Sequence, residues 1–450
     1  MMTPVPKVVD LFSGCGGLSL GFRANGFELG YGMEIIPEAV STISRNITIK
    51  YGDPNVHVCG DITRVNPEEI EKTWGDEGCI VIGGPPCQAY SLAGRAKLSS
   101  LGEHRKNTSD SRGYLFMDFL RFIDALEPKI VVMENVMEST NYGGMNVPEM
   151  VCSHLEETGY KTKWTILNSA DYGVPQIRER MILLAAKKEL DIELNYPTPT
   201  HFSEEDQKLT RGRKQESKFK TDCPHYVPAP RNEEGAPWVT VGEALGDLPV
   251  LFPSERSKYS LYPMNLALPY RTEAKNFFQF RMRNWFGEEE TTVSGNAFRK
   301  TLRDFPIFAR MKPGDNYIEA SRIADELLLK RAKDSGISPY DEEKMSVLRS
   351  KIVPPYKRDS FVCKWQKLDP NKPSHTLVAH LSVDTYSHIH PWEPRGISVR
   401  EAARLQSFPD GFLFPDDMAN AYKEIGNAVP PLLSFAIAEE LRKELNNANH

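Results

Sequence analysis

Gly83-Gly84-Pro85-Pro86-Cys87-Gln88-Ala89-Tyr90-Ser91 follows a short apolar run, Cys79 to Ile82. Such a run bounded by glycine reads as a buried parallel strand. The two prolines fix φ and remove two backbone donors, so the chain leaves the strand on a stiff path. That path presents one thiol, Cys87, at a strand's carboxyl end. In open α/β sheets, ligands bind in the crevice beyond that end. A free thiol titrates near ~8.5, so a nucleophilic role requires surroundings that favour its ionisation. A cysteine in a turn is ordinarily a small packing residue. The double proline before it and the glutamine after it set this one apart.

Upstream, Lys7 to Phe12 reads as a strand, and Ser13-Gly14-Cys15-Gly16-Gly17 as the turn into a helix beginning near Leu18. A glycine-rich strand-to-helix turn lets a ligand approach the backbone and the helix N-terminus, although a tight turn without ligand fits it equally. A second strand near Leu29 to Met33 ends at Glu34, about twenty residues after the glycines, where a ribose would be gripped. A third, Val56 to Cys59, ends in Gly60-Asp61-Ile62. Singly, each acid is an ordinary exposed strand-end carboxylate. Together, glycines, Glu34 and Asp61 on three consecutive strand ends define a nucleoside-type site.

Downstream, the polar stretch from Ser91 to Gly113 carries Arg95, Lys97, His104, Arg105, Lys106 and Arg112 and reads as a mobile loop. A helix follows from Tyr114 to Ala125. The strand Lys129 to Met133 ends in Glu134-Asn135-Val136. The strand Lys161 to Leu167 leads to Asp171-Tyr172-Gly173-Val174-Pro175-Gln176-Ile177-Arg178-Glu179-Arg180, where strand alternation would put Arg178 and Arg180 on one face. Met181 to Ala186 closes the sheet. From Lys187 to Arg395 the chain is proline-rich and irregular, with a basic tract from Lys208 to Lys220 and a helix near Ile318 to Lys333. Ser398 to Asp410 reads as a serine-capped amphipathic helix, and another helix starts at Leu432.

At 450 residues the chain exceeds the size at which one core keeps growing, so two domains are expected. An apolar fraction of 40% and a charged fraction of 26% are those of an ordinary soluble protein. A net charge of −6 gives no global nucleic-acid signature, so such a face would have to come from local clustering. The seven cysteines form no Cys-x-x-Cys pair, which suggests neither a zinc site nor a disulfide framework and fits a reducing cytosol. No apolar run approaches ~18 residues, so neither a signal peptide nor a membrane span is expected.

Asp10-Leu11-Phe12-Ser13-Gly14-Cys15-Gly16-Gly17, the Cys87 loop, Glu134-Asn135-Val136, Gln176-x-Arg178-x-Arg180 and Gly426-Asn427-Ala428-Val429-Pro430-Pro431 occur in that order. In this the chain resembles the DNA cytosine-5 methyltransferases of bacterial restriction-modification type, over about residues 7 to 440. The resemblance implies an α/β fold, a Rossmann-like S-adenosylmethionine-dependent methyltransferase sheet with a second, smaller, irregular target recognition domain. Residues 1–187 would be the catalytic and cofactor-binding domain, 188–395 the target recognition domain, and 396–450 a segment returning to the catalytic domain.

By the same resemblance S-adenosyl-L-methionine would be the cofactor, contacted by Phe12, Gly14, Gly16, Glu34, Ile35, Asp61, Ile62, Pro86, Leu115, Asn427 and Val429. Position 35 departs from the aromatic often found there. Cys87 would add to carbon 6 of a flipped cytosine, and Glu134, oriented by Asn135, would share a proton with ring nitrogen 3. Arg178 would stabilise charge on the exocyclic oxygen, and Arg180 would position Glu134 or the loop. No metal is needed, because the methyl donor is already activated. The implied partner is double-stranded DNA in the cytoplasm, without a membrane, and with a cognate restriction endonuclease acting on the same site without stable association. The Lys208–Lys220 tract is either a solvated loop or a contact to the DNA backbone. An RNA cytosine-5 methyltransferase fits less well because region 188–395 is large. A non-catalytic DNA-binding regulator fits less well because every catalytic position is filled.

Overall fold

The computed structural model describes residues 6–70, 72–86, 115–251, 262–357, 364–383 and 386–447. Cys87 and the polar loop from Ser91 to Gly113 lie outside the described residues.

The strands β1 (Lys7–Leu11), β2 (Leu29–Glu34), β3 (His57–Cys59), β4 (Cys79–Gly83), β5 (Ile130–Val136), β6 (Tyr160–Asn168) and β7 (Glu179–Lys187) form one sheet. Its order is β3-β2-β1-β4-β5-β7-β6. The strands β1 to β5 pair in parallel, and β7 runs antiparallel to both β5 and β6. Buried on both faces, β4 and most of β5 are near-continuous apolar runs rather than alternating ones. The helix Leu115–Leu126 buries Phe116, Phe119, Leu120, Phe122 and Ile123, the three-and-four spacing of one helix face.

Two features of this topology position the site. The neighbours of β1 are β2 and β4, so the winding reverses there and opens a crevice at the strands' carboxyl ends. Because β7 alone is reversed, its amino end, with Arg180 paired to Val136, arrives at that same edge.

Two compact units divide the chain: Met1–Trp238 with Ala428–His450, and Val239–Asn427. The expected borders were 187/188 and 395/396. Residues 188–238 stay with the sheet because Trp238 Nε1 donates to Asp171 Oδ1 at 2.9 Å and Tyr226 packs edge-on to Trp164. Residues 396–427 stay with the second unit, where Arg404 donates to Asp247 and Arg400 to the carbonyl of Ser294.

In the first unit the returning helix Pro431–Asn447 packs on the helix Gly17–Ala24. Ser434 Oγ donates to the carbonyl of Leu18 at 2.5 Å, and Asn25 Nδ2 to that of Phe435 at 3.0 Å. The backbones meet so closely that a Cβ on Gly21 would stand 2.4 Å from the Phe435 nitrogen.

The second unit is built around Phe308, Tyr317, Trp365 and Tyr386, whose rings meet edge to face. Its helix Tyr317–Asp334 matches the expected one; a second, Glu342–Ile352, buries no residue and so carries no apolar stripe to announce it. The helix Val399–Leu405 has the expected serine cap, completed by Glu401, but it is buried on every side rather than amphipathic. Its charged groups have internal partners: Arg404 lies on Asp247 and Asp410, Glu401 on Arg395, and Arg400 donates to the carbonyls of Ser294, Pro409 and Phe412. Among the described residues, His390, Glu393 and Glu401 form a group of metal-ligand spacing, but the guanidinium of Arg395 already lies on both carboxylates. No helix among the described residues is long and apolar enough to cross a membrane.

Gly21→Ala should destabilise the chain by roughly 1–3 kcal/mol, the usual cost of overpacking a close contact. A lower urea midpoint, with amide protection lost first in the helix Pro431–Asn447, is the expected result. An unchanged midpoint would mean that the two helices slide apart at no cost.

Candidate active site

The ends of β1 and β2 are joined through Glu34. Its Oε2 accepts from the Gly14 N–H at 2.9 Å, and its Oε1 from those of Ile35 and Ile36 at 2.9 and 3.0 Å. A carboxylate offers about four acceptor positions, so one remains, on Oε2. The turn that delivers Gly14 is left-handed at Phe12 (φ 62°), Gly14 (53°) and Gly16 (87°). A Cβ at Gly16 would lie 2.5 Å from Ile43 Cγ1, so glycine is required there by space as well as by φ. Gly17 fits under the carbonyl of Val429, which a Cβ would approach to 2.3 Å.

Asp61 follows β3. Thr63 donates to Oδ1 through both its N–H, at 3.1 Å, and its hydroxyl, at 2.8 Å, which holds the carboxyl below its usual range. Ile35 is 60% exposed and forms an open apolar wall, whereas Ile62 is buried in the core. Leu115 is half-buried against the core at the start of its helix, and Pro86 is half-buried after β4. Val429 is buried in the first unit; Asn427 is the exposed last residue of the helix Met418–Asn427 in the second.

Asp10, which sequence reasoning did not single out, lies buried beneath the glycine turn. Its Oδ2 accepts from Ser19 Oγ at 2.5 Å, Oδ1 has no protein partner, and burial pushes the carboxyl up to about 7. An acid inside the apolar run Val8-Val9-Asp10-Leu11 was the available signal.

At the other side of the crevice, Glu134 and Arg180 form an ion pair, Nε to Oε1 at 2.8 Å, with both side chains 11% exposed. Burial pushes the Glu134 carboxyl up, and the guanidiniums of Arg180 and Arg178 oppose this without cancelling it. A Cβ on Gly84 would stand 2.9 Å from Glu134 Oε2, so the glycine lets the carboxyl lie against the start of the path to Cys87. Asn135 does not orient Glu134: its Nδ2 donates to the carbonyl of Pro85 at 3.3 Å, and its Oδ1 accepts from the Val136 N–H. It therefore ties β5 to the proline path.

Only Arg180 belongs to β7; Arg178 sits in the turn ahead of it, fully buried, with Nη2 donating to the carbonyl of Ala428 at 3.1 Å. Strand alternation on one face therefore does not describe the pair. Burial and the nearby Arg180 lower the proton affinity of Arg178, while Glu134 supports its cation.

The basic tract is neither a loop nor uniformly solvated. Its start, at Lys208, falls at the end of the short helix Asp206–Leu209, and the rest forms the helix Arg211–Asp222 in the unit of the sheet. Arg213, 9% exposed, lies on Asp206 at 2.9 Å and donates to the carbonyls of Ala229 and Pro230. Arg211 pairs with Glu138 and Lys220 with Glu216; Lys214 and Lys218 point outward. Acids have thus claimed half of the tract's six basic side chains, and for Arg211 that acid, Glu138, is distant in sequence.

The family model of C-5 cytosine-specific DNA methylases matches residues 6–443. A relative from Oceanobacillus iheyensis, named as the type II methyltransferase M.OihORF3336P, is 48% identical over 98% of this chain and 96% of its own length. The type II methyltransferase M.AgeI of Thalassovita gelatinovora is 30% identical over 97% of this chain and 99% of its own. A crystal structure described as a prophage-encoded DNA modification methyltransferase of E. coli superposes with a TM-score of 0.65 at 23% identity, covering 98% and 99% of the two chains, and shares the fold. The chain belongs to the C-5 cytosine-specific DNA methylase family and is a DNA (cytosine-5)-methyltransferase. The resemblance read from its motifs is thereby borne out.

Arg213→Ala should lower stability by about 3–5 kcal/mol, because it strands buried carboxylates. Lys214→Ala should stay within ~0.5 kcal/mol. Urea unfolding of both variants decides; equal effects would contradict the structural role of Arg213.

Proposed function

We propose that the chain transfers a methyl group from S-adenosyl-L-methionine to carbon 5 of cytosine within a specific double-stranded DNA sequence. It does so through a covalent Cys87 adduct at carbon 6 of a flipped base, as the cytoplasmic modification enzyme of a restriction-modification system. The observation that carries this reading is the junction of Glu134, Gly84 and Asn135 with the backbone leading into Cys87. It sets a buried carboxyl beside the path of the nucleophile.

The cofactor pocket fits the crevice. Glu34 keeps one acceptor position for a ribose hydroxyl, and Asp61 Oδ2, which lies 3.4 Å from the largely exposed guanidinium of Arg64, would accept from an adenine amino group. Ile35 offers an apolar wall, and the turn at Phe12, Gly14 and Gly16 brings backbone rather than side chain to the ligand. Ile62, Pro86, Leu115, Asn427 and Val429 are the remaining proposed contacts. When bound, the cofactor supplies an electrophilic methyl group.

The chain's own residues then have distinct tasks. Cytosine carbon 5 is a weak nucleophile, and addition of the Cys87 thiolate at carbon 6 makes the ring an enamine. Electron density pushed onto the ring is met by a proton from Glu134 at nitrogen 3, which a carboxyl with raised pKa can deliver near neutrality. Arg180 holds Glu134 Oε1, so Oε2 is the oxygen on the Gly84 side. Arg178 opposes charge developing at the exocyclic oxygen. The duplex hides carbon 6 in the stack, so the base must be extruded first. Recognition of sequence is assigned to region 188–395, whose larger part falls in the unit Val239–Asn427.

Release of the enzyme requires loss of the carbon 5 proton, so duplex DNA with 5-fluorocytosine should trap an adduct that survives denaturing electrophoresis. Cys87→Ala should form none while still binding cofactor. Methylation at the exocyclic nitrogen, or a trapped adduct that persists in Cys87→Ala, would overturn the reading.

A further inference from the structure

Arg211 opens the helix Arg211–Asp222 and has no task in the reaction described above. Its side chain nevertheless reaches the exit of β5, where Nη1 donates to Glu138 Oε1 at 2.7 Å. Its backbone N–H and that of Gly212 donate to the two oxygens of Glu179 at 2.8 and 2.5 Å. Glu138 lies in the turn Met137–Asn141 that follows Glu134, and Glu179 lies between Arg178 and Arg180. One residue thus binds both stretches that meet at the Glu134–Arg180 pair. The approach is tight: a Cβ on Gly212 would come within 2.9 Å of Glu179 Oε1 and 2.7 Å of Ile166 Cγ2.

Arg180 has more than one carboxylate to serve. It pairs with Glu134 at 2.8 Å and donates to the main-chain oxygen of Glu179 at 2.7 Å, and Glu138 and Glu179 also favour its cation. Glu138 is itself 14% exposed, so its charge is poorly screened and needs a partner. We propose that Arg211 is a positioning residue for methyl transfer: by occupying Glu138 and Glu179 it keeps Arg180 committed to Glu134. This rests on the reading of Glu134 as proton donor.

Among the described residues, the charged groups that face one another here are few. Glu134 faces Arg178 and Arg180; Arg180 faces Glu134, Glu138 and Glu179; Glu179 faces Arg211 and Asp206. Removing the Arg211 cation frees Glu138 to draw on Arg180, and Glu134 then holds its proton more tightly. A donor acts while protonated, so the rate falls as pH rises through its pKa. That alkaline limb should move to higher pH in Arg211→Ala. It should move to lower pH in Glu138→Gln, where the competitor is gone. A half-exposed arginine that merely touched a DNA phosphate would instead raise the DNA KM and lessen the salt dependence, leaving the limb in place.

Single-turnover methyl transfer to duplex DNA, at saturating DNA and cofactor across a pH series, separates these cases. Arg211→Ala should shift the limb up by less than the ~1–3 units that a charge in direct contact produces, because it acts through Glu138 and Arg180. Arg211→Lys, which keeps the cation, should restore it toward wild type, and Glu138→Gln should shift it down. Limbs that superimpose on wild type in both Arg211→Ala and Glu138→Gln, with Glu134→Gln inactive, would overturn the inference alone. An effect of Arg211→Ala confined to DNA KM would do the same. Full activity in Glu134→Gln would overturn the proton-donor reading and this inference together.

Discussion

The site depends on one buried ion pair, Glu134 with Arg180, held where water is scarce. Burial alone would drive the carboxyl neutral, and full pairing with two guanidiniums would drive it anionic. The structure sets these against each other and leaves the carboxyl raised. Such a balance cannot be built on a surface, because an exposed pair is screened and contributes little. It requires the carboxyl end of a central strand, where β5 delivers Glu134 between β4 and β7.

The reversal of β7 makes this possible. Were β7 parallel to β5, Arg180 would emerge at the far edge of the sheet. Antiparallel, it is paired with Val136 and brought to the mouth of the crevice, and the turn before it delivers Arg178 to the carbonyl of Ala428. The glycines serve the same end at short range. Gly84 lets Glu134 lie against the proline path, and Gly17 lets Val429 come down on the first turn. Cofactor crevice and proton donor are therefore products of one topology, built on opposite sides of β4.

What the sequence made legible follows from how local each signal is. The strand ends at Glu34, Cys59 and Gly83 were readable because apolar runs stop there at glycine or acid, and that of β1 was readable to within one residue, at Leu11 rather than Phe12. The cap at Ser398 was readable because its partner Glu401 lies one turn on. The burial of that helix was not, since Arg404 is matched by Asp247 and Asp410 and Arg400 by the carbonyls of Ser294, Pro409 and Phe412, and Asp247 and Ser294 are remote in the chain. The Lys208–Lys220 tract looked solvated for the same reason: the acid that claims Arg211 is Glu138, far upstream. Asn135 was expected to serve its neighbour Glu134 and instead serves Pro85, a partner brought in by β4. Pairing across the fold, not propensity, decided each of these.

The proton affinity of Glu134 is the quantity on which the chemistry turns. It can be followed directly by carbon-13 NMR of enzyme labelled at the glutamate side-chain carboxyl, with the Glu134 signal identified by its loss in Glu134→Gln. A titration midpoint above the ordinary glutamate value of about 4.3 is expected. A midpoint at or below that value would show that Arg180 and Arg178 outweigh burial, and Glu134 could not then be the proton donor near neutral pH.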